Sequence, residues 1–180
     1  MRHMAQAACI LAWIALLAVP AGSTIRRDPL TEAETDQLRE AAQDPPLKLK
    51  LFLTFARQRL DSAEALRFDP KAGPDRGQQI HDLLEDFTNL VDELNDNVEA
   101  YAGRNEDLRK PLAEIVAATG DFSARLKAFH SASASSPAAS KESRAYSFAL
   151  ADAMDAVESG LRDAQELLQE QQERFKKKKK

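Results

Sequence analysis

The chain of 180 residues carries 29 acidic and 25 basic side chains, for a formal net charge of −4. That length suits a single domain, and an acidic balance argues against a nucleic-acid-binding surface, because neutralising phosphates takes lysine and arginine. The one cysteine, Cys9, falls in an apolar leader, so the remainder of the chain has no disulfide, no thiol chemistry and no thiolate metal site.

In that leader Arg2 and His3 precede an uncharged apolar run from Ala5 to Val19, and Ala21 and Ser23 then offer small residues for a signal peptidase. The run is short of the about 20 residues needed to span a bilayer. Residues 1–23 therefore read as a cleaved signal peptide, with a mature start at Gly22 or Thr24. The protein is expected to be exported, periplasmic or secreted, without a transmembrane segment. Losing Arg2 takes the net charge from −4 to −5, and setting aside the five lysines Lys176–Lys180 leaves a body near −10.

Residues 24–45 read as an N-terminal extension with a short helix at Thr31–Gln43. Thr31 and Glu34 are spaced for a capping box, but the apolar content is thin, and the segment is expected to lie across the end of a bundle or to fray. Asp44-Pro45-Pro46 is a strong helix start. The alternation from Leu47 to Phe55 could suit a strand, but no second strand candidate exists to pair with it. Leu49, Phe52, Leu53, Ala56, Leu60, Ala63 and Leu66 keep helical spacing, and a helix from Pro46 to Arg67 is preferred.

The strongest pattern runs from Asp75 to Gly103. Ile80, Leu83, Leu84, Phe87, Leu90, Val91, Leu94, Val98 and Tyr101 form one stripe of a long helix, with His81, Asp82, Glu85, Asp86, Asn89, Asp92, Glu93, Asp96 and Glu99 outside it. Asp75 with Gln78 suggests a capping box, and Gly103 a left-handed exit. Asn105 is placed to cap the next helix, whose stripe is Leu108, Leu112, Ile115, Val116, Thr119, Phe122, Leu126 and Phe129. Pro111 requires either a kink or a restart near Lys110, and Gly120 is a second weak point. Ser131–Ser136 reads as a linker. Ser136-Pro137 or Ser140 opens a last helix with its stripe from Tyr146 to Leu168, beyond which it is expected to fray into the lysines.

Four long amphipathic helices with short connections predict an all-α fold, an antiparallel up-down-up-down four-helix bundle over 46–175 with a short extra N-terminal helix and a polybasic tail at 176–180.

No catalytic constellation is evident: there is no nucleophile elbow and no glycine-rich phosphate loop. A di-iron bundle would need paired Glu-x-x-His motifs, which are absent, and His81 with Glu85 reads as a solvated pair. The alternative is a haem carrier of the cytochrome b562 type, which would need His81 or His130 to face Met154. Neither histidine is placed for that, so no cofactor and no metal site are expected. The distinctive surface feature is Arg174, Phe175, Lys176, Lys177, Lys178, Lys179 and Lys180, suited either to a solvated end or to contact with an anionic surface. The sequence thus points to an exported, non-catalytic interaction or scaffold module. Its partner would be an unidentified protein or an anionic envelope surface.

Overall fold

A computed structural model describes residues 27–134 and 137–177. The leader, its cleavage points, Ser135–Ser136 and Lys178–Lys180 lie outside the described residues. The fold is all-α, with no strand among the described residues: α1 (Glu32–Glu40) continued by a 3₁₀ turn (Ala41–Gln43), α2 (Pro45–Phe68), α3 (Arg76–Gly103), α4 (Arg109–Ser133), α5 (Pro137–Ser143) and α6 (Ser147–Lys177).

Four helices enclose the core. α3 lies between α2 and α6, and α4 lies between the same two on the opposite side. Consecutive helices run antiparallel, so α2 and α4 share one direction and α3 and α6 the other. The side-chain pairings agree. Along α2 and α4, Arg57 meets Phe122, Glu64 meets Arg125 and Arg67 meets Phe129, both numbers rising together. Along α3 and the chain that enters α6, Gly77 lies against Ala145 of the α5–α6 turn and Asn95 against Gly160.

The alternating directions agree with the expected bundle, but α3 and α4 are not side-by-side neighbours. They occupy opposite corners and meet across the core through the edge-to-face pair of Phe87 and Phe122, with ring centroids 5.3 Å apart. A short connection fixes antiparallel direction without fixing who touches whom. The five residues from Arg104 to Leu108 can reach about 17 Å, enough for the about 14 Å diagonal between helices packed about 10 Å apart.

The expected stripe of α3 is the centre of this core: Ile80, Leu84, Phe87, Leu90, Val91 and Leu94 are fully buried, and Leu83 is half-buried. Phe122, Leu126, Leu112, Leu60 and Val157 close around them. At one end the Phe129 and Tyr146 rings pack edge to face at 5.7 Å, and the Tyr146 hydroxyl lies 3.1 Å from Ser133 Oγ.

Several expected boundaries are corrected. Asp75 precedes α3, yet its side chain caps nothing, so the capping box with Gln78 does not form. Gln78 Nε2 instead donates to Asp82. Gly103 ends α3 without a left-handed turn, and that conformation falls on Asn105, with φ of 62°. Asn105 tolerates it because its short polar side chain is among the few that do. It therefore does not cap α4, which starts after Leu108, leaving Pro111 in the first turn where a proline removes no helical hydrogen bond. α4 runs unbroken through Gly120 and on to Ser133, taking in half of the expected linker. The last helix comes in two pieces, α5 and α6, divided by a turn around Arg144–Tyr146. Arg76 ties α5 to the start of α3 through both oxygens of Glu142.

The N-terminal helix neither frays nor lies across the bundle end. The capping box of Thr31 and Glu34 forms as expected, and α1 lies along α2 with Glu34 reaching Arg59, just past the middle of that helix. Leu38 and Ala41 are buried under it. Hence α2 is apolar on two faces: Leu49, Phe52, Leu53, Ala56, Leu60 and Ala63 are buried, and so is Phe55, one turn before Arg59.

Candidate functional site

The basic end of the chain emerges from a built junction. α6 continues past Leu168, and Gln171, 1% exposed, packs against the α3–α4 connection. Its Oε1 accepts from the Leu108 backbone N–H at 2.8 Å, and its Nε2 donates to the Glu106 carbonyl at 3.1 Å. One side chain thereby satisfies a donor at the start of α4 that no helical carbonyl can reach.

Two of the residues expected to contact an anionic surface belong to the same junction. Arg174 Nη1 donates to Asn105 Oδ1 at 2.9 Å, and the Phe175 ring lies 4.2 Å from the Arg109 guanidinium and 5.4 Å from that of Arg174. Arg109 in turn forks onto Asp107, and its hydrogen bond holds the Asp107 carboxyl down to about 2, with Arg174 adding to the effect. Lys176 is exposed one residue further on, Lys177 ends α6, and Lys178–Lys180 lie outside the described residues. Phe175 is thus half-buried in a cation sandwich. The expected fraying is overturned: a polar residue, invisible to an apolar-stripe reading, carries the packing past Leu168.

A second cluster lies at the other end of α3. Arg27 Nη2 donates to Asp86 Oδ2 at 2.6 Å and to the Asp82 carbonyl at 3.0 Å, while Nη1 reaches Asp82 Oδ2 at 3.3 Å. Arg59 stands 3.9 Å from Asp86 and forks onto Glu34 at 2.9 and 2.6 Å, with a further bond to the Pro29 carbonyl. Asp86 and Asn89, expected on the solvated face, are buried because this N-terminal strap covers them. Burial pushes the Asp86 carboxyl up, and the Arg27 hydrogen bond only partly offsets it. Burial acts the same way on Glu34, but there the hydrogen bonds from Arg59 and the Thr31 backbone outweigh it and hold the group low.

Helix adjacency also sorts the charges. α2 and α4 together carry nine basic and four acidic residues, a net +5, whereas α3 and α6 carry five basic and fourteen acidic, a net −9. Since the members of each pair are neighbours, the bundle has a basic side and an acidic side. On the basic side Arg125 gathers acids from both helices: it holds Glu64 at 2.7 and 3.1 Å and Asp61 at 2.5 Å. On the acidic side an open groove of about 950 Å³ lies between α3 and α6, lined by His81, Glu85, Asp152, Asp155 and an 82%-exposed Phe148. Among the described residues Glu85, Asp152 and Asp155 form no ion pair. Nor does any group of three His, Cys, Asp or Glu side chains among the described residues stand close enough to hold a metal ion.

His81 sits on the rim of that groove and His130 is exposed at the end of α4, so neither points into the core beside Met154. Among the described residues no helix is long and apolar enough to cross a membrane. The chain matches no family model, and no curated protein or solved structure is significantly similar to it.

Proposed function

We propose that this is an exported, non-catalytic interaction module whose lysine tail contacts an anionic surface. The observation that carries the reading is the junction at the end of α6. Gln171, Arg174 and Phe175 hold the last turns of α6 against the α3–α4 connection, at the point where the run of five lysines begins in the sequence.

Each lysine near an anionic lipid surface contributes about 1 kcal/mol, within a Debye length of about 8 Å at physiological salt. Five together give about 5 kcal/mol before ordering costs, a reversible attachment. Because Phe175 is engaged by Arg109, the contact is electrostatic rather than inserted. The acidic α3/α6 side turns away from such a surface, leaving it open to a partner.

Vesicles containing phosphatidylserine, sedimented with full-length protein and with a form lacking Lys176–Lys180, test the reading. Binding at low salt that falls steeply with added salt and is lost on deletion, with helix content unchanged, is the expected result. Equal binding by both forms, or none by either at low salt, overturns it.

A further inference from the structure

We propose that the acidic groove between α3 and α6 docks a basic segment of a partner protein, one that carries arginine or lysine side chains flanking a large apolar residue. The inference rests on the interaction-module reading and names the partner's chemistry.

The chain itself shows how this face takes a cation. Arg27, from outside the four-helix core, lays its guanidinium on the outer face of α3 and forks between Asp82 and Asp86, using the Asp82 backbone carbonyl as well. Beside that fork, Glu85 faces Asp152 and Asp155 across the groove, and none of the three has an ion-pair partner among the described residues. These carboxylates are spread along two helices rather than gathered round a point, which suits several cations on one chain better than a single ion. One turn before Asp152 on the same groove, Phe148 stands exposed, an apolar contact that a purely ionic ligand would not use. Aromatic anchors within a charged rim are the usual centre of a protein interface.

Other occupants fit less well. An anionic lipid surface is repelled by a side carrying −9. The tail of the same molecule is out of range: α6 rises about 1.5 Å per residue, so Lys177 lies about 43 Å from Phe148, and the three residues Lys178–Lys180 reach about 10 Å. The tail of a second copy offers lysines, but its aromatic residue, Phe175, is already held by Arg109 and Arg174 and leaves Phe148 without an apolar partner.

The probe is a fluorescein-labelled nine-residue peptide alternating arginine with leucine, titrated by anisotropy at low salt against full-length protein and against protein lacking Lys176–Lys180. The triple variant Glu85→Gln/Asp152→Asn/Asp155→Asn is expected to weaken binding by roughly tenfold or more. Phe148→Ala is expected to weaken it by roughly threefold to tenfold while leaving the salt dependence unchanged. A control of equal charge change, Glu166→Gln/Glu170→Gln/Glu173→Gln, should shift it by less than about twofold. Equal weakening by the groove and control triples, or no effect of Phe148→Ala, overturns the proposal in favour of diffuse attraction. Binding that tightens when the lysine tail is removed overturns it in favour of a second copy's tail as the occupant. Because the tail-deleted form binds the peptide if the groove is right, a failure here is separable from a failure of vesicle binding.

Discussion

Gly160 of α6 faces Asn95 of α3 so closely that a Cβ at position 160 would stand 2.7 Å from the Asn95 amide nitrogen. At Gly77, in the first turn of α3, an added Cβ would stand 2.9 Å from the Cβ of Ala145 in the turn between α5 and α6. The two contacts differ in what can yield. Asn95 is half-buried and can swing its short side chain away, whereas the Ala145 Cβ is fixed to the backbone. Gly77→Ala is therefore expected to cost about 1–3 kcal/mol of overpacking, with little helix propensity to recover in the first turn of α3. Gly160→Ala, in a helix interior, should lie within about 1 kcal/mol of the parent, since propensity offsets the displaced amide. Chemical denaturation of both variants decides the order.

Gly120 has nothing within 4 Å of an added Cβ, and it sits mid-helix in α4. Gly120→Ala should stabilise by about 0.5–1 kcal/mol through lower conformational freedom in the unfolded chain and better helix propensity. A thermal melt that falls would mean that α4 needs a bend the structure does not have.

The Phe87 ring is wholly enclosed and packed edge to face on Phe122. Phe87→Ala should cost about 3–5 kcal/mol, a large share of the stability of a domain this size. An unchanged melting temperature would place that ring outside the core.

Much of the core is legible in the sequence because three- and four-residue spacing of apolar residues is a direct readout of one helix face. Ile80 through Leu94, Leu112 through Leu126 and Leu49 through Ala63 all follow it. The capping box at Thr31 is legible for a similar reason, since it depends only on residues three apart. What stays hidden depends on contacts between distant segments. Asp86 and Asn89 belong to the polar face by spacing and become buried because the segment from Arg27 to Pro29 folds over them. Gln171 looks like any residue of the polar stretch from Gln169 to Arg174 until the α3–α4 connection is beside it. The charge sidedness needs to know that α3 neighbours α6 rather than α4, and nothing local encodes that. Asn105 stands out as a structural punctuator but its task is ambiguous, because a left-handed turn and a helix cap draw on the same residue types.

Gln171→Ala removes both partners of the α3–α4 connection and leaves the Leu108 N–H buried without an acceptor. The expected cost is about 1–3 kcal/mol. Amide exchange should show it locally first, with protection lost at Leu108 before the helix interiors open.

The strap gives a pH signature. The folded Glu34 carboxyl is held below its ordinary value, so its contribution is fully present above the unfolded carboxylate range near about 4.3 and is lost as pH falls through the folded value. The folded Asp86 carboxyl is raised, so its contribution has the opposite sign: it is present at acid pH and lost as pH rises through the folded value. Glu34→Gln at pH 7 should therefore cost about 1.5–3 kcal/mol, with the gap from the parent closing on acidification. Asp86→Asn should cost less at pH 7. Denaturation midpoints between pH 3 and pH 7 for the parent and both variants test the two signs, and a gap that widens in acid for Glu34→Gln would contradict the first.

The diagonal placement of α3 and α4 makes the molecule two hairpins lying side by side, α2 with α3 and α4 with α6, joined by one five-residue bridge. Apart from the bonds of Gln171 and Arg174 to the bridge itself, the contacts that seal them, from Phe87 on Phe122 to Asn95 on Gly160, pass directly between the hairpins. A cut between Asn105 and Glu106 would turn a single-chain domain into a two-fragment complex, and its melting temperature would begin to depend on concentration. The bridge thus sets the effective concentration at which one half meets the other, while the choice of partner is written into the two faces that meet.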